Sequence, residues 1–112
     1  MVRDQATLLD ILHAARLTLD FKRGLDKEAF LENLKTQSAV LHQLMIIGEA
    51  VKRLSPELRA QYPQIPWLLI AGMRDKLIHG YDIVDLDQVW RTVIVDIPEL
   101  ISKIEPLVTK EG

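Results

Sequence analysis

The chain has 112 residues, 48% of them apolar, and 14 Lys and Arg against 16 Asp and Glu give a net charge of −2; that is enough for one hydrophobic core, and it excludes the broad basic field that grips nucleic acid by charge alone. No cysteine is present, which excludes disulfides, thiolate metal sites and thiol nucleophiles, and the three histidines (His13, His42 and His79) lack the paired spacing of a zinc site. The longest uncharged apolar run, residues 65–73, falls far short of the roughly 20 needed to cross a bilayer, and the acid-bearing start MVRDQATLLD lacks the pattern of a secretion signal, so a cytoplasmic protein is expected.

Every long segment reads with helical period. Leu8, Leu9, Ile11, Leu12, Ala15 and Leu19 form one apolar stripe, with Asp4 as the candidate cap and Arg23-Gly24 as the stop. Asp26 opens a second helix with Glu28 in its first turn and a stripe of Phe30, Leu34, Leu41, Leu44, Gly48 and Val51. Within it, LMIIGEAV (residues 44–51) is apolar on more than one side. Ile46 and Ile47 lie off the stripe, so either a neighbouring helix of the same chain or a second copy must cover them, and Gly48 permits a close helix crossing. Ser55-Pro56 predicts a short helix over Pro56–Gln61. Pro63 and Pro66 bracket a turn, and Pro66 opens a further helix through about residue 78, which Gly80 closes in the left-handed conformation. Asp85 and Gln88 form a capping-box pattern for the last helix. Its stripe runs Leu86, Val89, Trp90, Val93, Ile97, Leu100, Ile101 and Ile104, with a kink near Ile94 imposed by Pro98. No segment alternates cleanly with period two. The expectation is an all-α bundle of four main helices plus one short helix, in one domain over residues 1–112.

Polar chemistry concentrates in RDKLIHGYD, residues 74–82, directly after the apolar run IPWLLIAGM. On a helix reaching His79, Asp75 and His79 are i, i+4 neighbours, and the carboxylate orients the imidazole. Arg74 then sits about 140° around the axis from His79, five steps of about 100° each. The two converge only if the helix unwinds at residues 78–80, or if another chain supplies a group. Tyr81, past the glycine, falls in the connecting loop with its hydroxyl in reach of the histidine. An arginine and a histidine without metal or thiol suit phosphodiester chemistry on RNA, where the 2′-hydroxyl is an internal nucleophile. Histidine moves the proton, commonly for ~10²–10⁴-fold in rate, and arginine holds the non-bridging oxygens with a planar fork. On residue types alone a purely structural helix end stays open, since an i, i+4 pair contributes only ~0.2–0.5 kcal/mol. Glu49, a carboxylate at the edge of an apolar stripe, calls for a partner: either Arg74, which would make it line the site, or a nearby base. Trp67 and Trp90 have core spacing; His13, His42 and the pair Lys52-Arg53 read as surface.

Arg74-x4-His79-x-Tyr81 resembles the Rx4HxY signature of the HepT-like toxins, a branch of the HEPN superfamily. The blocks IGEAVKRLS (47–55), IPWLLIAGMRDKLIHGYDIVDLDQVW (65–90) and DIPELI (96–101) resemble that family in order and spacing. The resemblance implies an antiparallel HEPN-type bundle that forms a homodimer, with two motifs facing one cleft. It implies a metal-independent endoribonuclease toxin that needs no cofactor and cuts tRNA or mRNA, with Arg74 and His79 as the catalytic pair and Asp75 orienting its neighbours. It also implies an MntA-type nucleotidyltransferase antitoxin that transfers AMP to Tyr81, placing a bulky anion where RNA phosphates must approach. Two other readings stay open. One is a catalytically silent HEPN adaptor that docks such a nucleotidyltransferase; the other is the substrate-binding subunit of a two-part nucleotidyltransferase.

Overall fold

The first helix, α1 (Val2–Lys22), begins ahead of its apolar stripe and ends at Arg23-Gly24 as expected, with Gly24 at a φ of 82°. The computed structural model describes residues 2–80 and 82–109. Asp4 does not cap α1; it lies within the helix, almost wholly buried. Its carboxylate accepts from the Ser55 amide (3.0 Å) and the Ser55 hydroxyl (2.6 Å). Ser55 in turn accepts from the Leu58 amide as the N-cap of α4 (Pro56–Gln61), the short helix expected there. One carboxylate thus ties the start of α1 to the start of α4.

Asp26 caps a helix, but a brief one, α2 (Lys27–Leu31). The expected continuous helix is interrupted at Glu32-Asn33, where the Asn33 side chain accepts from the Thr36 amide and starts α3 (Leu34–Lys52). Asparagine offers the backbone this alternative to a helical hydrogen bond, which is why it favours caps over helix interiors. Gln37 Nε2 donates to the carbonyls of Phe30 and Leu31 and so satisfies the end of α2. The break also removes Leu34 from the predicted stripe, leaving it exposed in the first turn of α3.

The core gathers Leu8, Ile11 and Ala15 of α1, Val40, Leu44, Ile47 and Val51 of α3, and Phe30 of α2. Ile47 is therefore covered by its own chain, whereas Ile46 keeps a partly exposed side chain. Gly48 does serve a close crossing: a Cβ there would lie 3.2 Å from the carbonyl oxygen of Ile70 in α5 (Trp67–Ala71). The helix expected over residues 66–78 is divided at Gly72 into α5 and α6 (Met73–Leu77). Trp67 packs as predicted, its indole N–H donating to the carbonyls of Arg59 and Tyr62.

After Leu77 the chain leaves the helix. β1 (Ile78–His79) pairs antiparallel with β2 (Ile83–Val84), with Ile78 opposite Val84 and His79 opposite Ile83. Two-residue strands are too short to display an alternation, so periodicity gives no sign of them. Gly80 has the expected positive φ, 75°, but it serves the turn of this ribbon rather than the end of a helix. The last segment comprises α7 (Leu86–Arg91), a π-helical turn (Thr92–Asp96) and α8 (Ile97–Thr109). The predicted distortion near Ile94 takes the form of that π turn. Pro98 has no N–H to offer a carbonyl four residues back, and a widened turn relieves the mismatch. Trp90 packs against Phe30, ring centroids 5.3 Å apart, with Lys22 Nζ 5.7 Å from its centroid. The fold is all-α with one minimal ribbon, and among the described residues no helix is long and apolar enough to cross a membrane.

Candidate functional site

Met73 and Leu77, one turn apart, anchor the inner face of α6 in the core. That leaves Arg74, Asp75 and Lys76 on the outer face, all exposed. Arg74 Nη1 stands 4.0 Å from Asp75 Oδ1, a loose contact between neighbours, and the Asp75 side chain is 93% exposed. Lys76 Nζ reaches to 3.7 Å from Asp96 Oδ2 in the π turn.

His79 does not stand one turn above Asp75, as a continuous helix would require. Ile78 is extended (φ −123°, ψ 123°) and joins the ribbon, so the helix has already unwound before the histidine. The acid facing the imidazole is Asp85: its Oδ2 lies 3.7 Å from His79 Nε2. The unwinding at residue 78 is the condition under which Arg74 and His79 escape opposite sides of one helix. Both side chains are exposed, and among the described residues no hydrogen bond or ion pair joins them. Tyr81 lies outside the described residues. Asp75, Asp82, Asp85 and Asp87 outnumber Arg74 and Lys76 in this segment, so any phosphate bound here is held by the placement of Arg74 rather than by net charge.

Glu49 is not a partner of Arg74. It pairs with Lys52 (2.8 Å), three residues along the same exposed face, and the lysine holds its carboxyl below the ordinary value. With Asp10, His13, His42 and Arg53 it borders a groove of about 430 Å³ between α1 and α3 that includes none of residues 74–85. Among the described residues no group of three or more His, Asp or Glu side chains is placed to hold a metal ion. A second depression, about 320 Å³, adjoins α6: Leu68, Leu69, Met73, Ile97 and Leu100 line it, with Lys76 and Asp96 at its rim.

Sequence pattern identifies Asp85 as a cap and nothing more. Its position beside His79 follows from the antiparallel return of the chain. The available signal is a glycine between β-branched residues, Ile78 on one side and Ile83-Val84 on the other, which is the composition of a tight ribbon.

The profile of the Ribonuclease HepT-like family matches residues 11–107, from the middle of α1 into α8. A protein of Thermococcus cleftensis named probable ribonuclease HepT is 47% identical over 100 residues, 89% of this chain and 91% of that protein. A provisionally named RNase of Methanocaldococcus jannaschii is 41% identical over 104 residues, 93% of this chain and 90% of that one. Another, from Caldanaerobacter subterraneus, is 39% identical over 101 residues, 90% of each chain. No solved structure matches. With the Arg74–Asp85 segment inside every one of these matched lengths of chain or profile, the protein belongs to the Ribonuclease HepT-like family.

Proposed function

We propose that this chain is a metal-independent endoribonuclease that works as a homodimer, with Arg74 and His79 as its catalytic pair. The observation that carries the reading is the exposure of both side chains at a helix-to-ribbon break, in a chain of this family. The ribose 2′-oxygen attacks phosphorus and the bond to the 5′-oxygen breaks. One neutral imidazole accepts the 2′-hydroxyl proton, and one protonated imidazole gives a proton to the departing 5′-oxygen. Two protomers supply both states of His79, while Arg74 holds the non-bridging oxygens as charge builds on them. Products end in a 2′,3′-cyclic phosphate and a 5′-hydroxyl. DNA, lacking the nucleophile, is inert.

The contact between copies is assigned to α5 and the π turn. Leu68 and Leu69 are 82% and 76% exposed where they line the 320 Å³ depression, which Thr92 and Asp96 of the π turn also border, and Ile94 and Val95 of that turn are exposed as well. A protruding apolar pair next to an apolar hollow is self-complementary, as a two-fold interface requires. Cellular control belongs to the same proposal: the chain acts as a toxin, and a nucleotidyltransferase-type antitoxin silences it by adding AMP to Tyr81.

The test uses protein shown by mass spectrometry to carry no AMP, incubated with RNA in EDTA. Cleavage is expected, and Arg74→Ala or His79→Ala is expected to slow it by about 10²-fold or more with an unchanged helical CD spectrum. Undiminished cleavage by His79→Ala removes the mechanism. An unmodified protein that leaves RNA intact yet binds a nucleotidyltransferase is the silent adaptor instead.

A further inference from the structure

We infer that Asp85 is a positioning residue for His79, its carboxylate facing Nε2 of the imidazole so that Nδ1 is the nitrogen that exchanges the proton with RNA. The inference deepens the ribonuclease reading and rests on it. Two hydrogen bonds fix Asp85. Its backbone N–H donates to the Leu77 carbonyl (2.8 Å), closing the ribbon one residue beyond β2. Its Oδ1 accepts from the Gln88 amide (3.1 Å) as the N-cap of α7. Its Oδ2 is thereby left facing His79 Nε2 at 3.7 Å.

The other acids of the segment do not compete for this role. Asp75 stands 93% exposed beside Arg74, and Asp87 Oδ1 is engaged with Lys27 Nζ at 3.0 Å. Among the described residues Asp82 forms no ion pair or hydrogen bond with the imidazole. Asp85 is also the more sheltered partner, its side chain 35% exposed against 60% for His79. A carboxylate whose carbon frame is held by a cap loses little further freedom in facing the ring, which is what makes it an orienting group rather than a passing ion pair. A carboxylate is acceptor-only, so the nitrogen it faces is favoured as N–H and the other is free to accept.

The experiment separates the cap from the carboxylate. Asn caps helices as well as Asp, so Asp85→Asn keeps α7 and removes the charge, and Asp85→Ser is a second capping variant should the first fold poorly. In both, urea unfolding is expected to stay close to wild type. The turnover number for RNA cleavage is expected to fall about tenfold or more, within the range of general acid–base effects, while KM stays within about twofold. In nitrogen-15 spectra of RNA-free protein, the neutral His79 ring is expected to relax from a nearly pure Nε2–H tautomer to the mixture of an unheld imidazole, in which a minor Nδ1–H population becomes visible. Unchanged turnover together with an unchanged tautomer overturns the inference and leaves Asp85 a helix cap. A wild-type protein that cuts no RNA overturns the ribonuclease reading alone, and the tautomer comparison then decides the Asp85–His79 assignment by itself.

Discussion

Asp4 shows how one side chain can hold together parts of the chain that are 51 residues apart. It is buried, yet both oxygens are satisfied by Ser55. The Ser55 hydroxyl, helped by its amide and opposed by burial, holds the Asp4 carboxyl below the ordinary carboxylate value. The stabilisation is therefore complete above the unfolded-state value near pH 4 and is lost as pH falls through the lower folded-state value. Asp4→Asn is expected to cost about 1.5–3 kcal/mol at pH 7, the usual range for hydrogen bonds to a charged group. Urea unfolding of wild type and variant at pH 7 and pH 3 checks this; the gap should shrink at the lower pH, and a gap independent of pH assigns the effect to packing. Arg74 and His79 stand out in the sequence as candidates because two strongly polar side chains follow an apolar run at family spacing, and the structure leaves both exposed. The partner of His79 was not legible, because i, i+4 geometry presumes a helix that the fold ends two residues too early. Glu49 misled for the opposite reason: Lys52, three residues away, satisfies it locally.

Among the elements, α3 and α5 cross closely at Gly48, and the crossing bears on the site because α5 leads through Gly72 into Arg74. At Gly48 two effects oppose each other. Alanine gains about 0.8–1 kcal/mol of helix propensity, but its Cβ would press on the Ile70 carbonyl at 3.2 Å. Gly48→Ala is expected to stay within about 1 kcal/mol of wild type for that reason. Gly48→Leu has no such balance and is expected to cost about 1–3 kcal/mol or more through overpacking, with RNA cleavage reduced further than the stability loss explains because α5 is displaced. Unfolding curves and cleavage rates on both variants decide this; a Gly48→Leu variant as stable as wild type would show that α5 yields freely. The π turn illustrates the limit of local prediction. Pro98 marks the place of a distortion, but whether the backbone kinks or widens depends on holding Val93 and Ile97 in the core on either side.

For the molecule as a whole, the depression between α5 and α8 bears on whether two copies complete one site. Replacing both Leu68 and Leu69 by Lys is expected to turn the proposed dimer into a monomer in analytical ultracentrifugation without loss of helix, because neither side chain contributes to the core. RNA cleavage should disappear with the dimer. A doubly substituted protein that remains dimeric places the interface elsewhere, with Ile46 on α3 the next surface to substitute. Sequence by itself determined the all-α class, the short helix after Ser55 and the family, and it singled out Arg74 and His79 as the candidate pair, since helical periodicity, caps and motif spacing are local properties of the chain. Tertiary structure alone decided that α2 and α3 separate at Asn33, that Ile47 is buried while Ile46 is not, that Asp4 serves Ser55, and that His79 meets Asp85 across a ribbon. Each of these depends on which distant group competes for a hydrogen bond or a place in the core, and that competition is settled only when the helices pack.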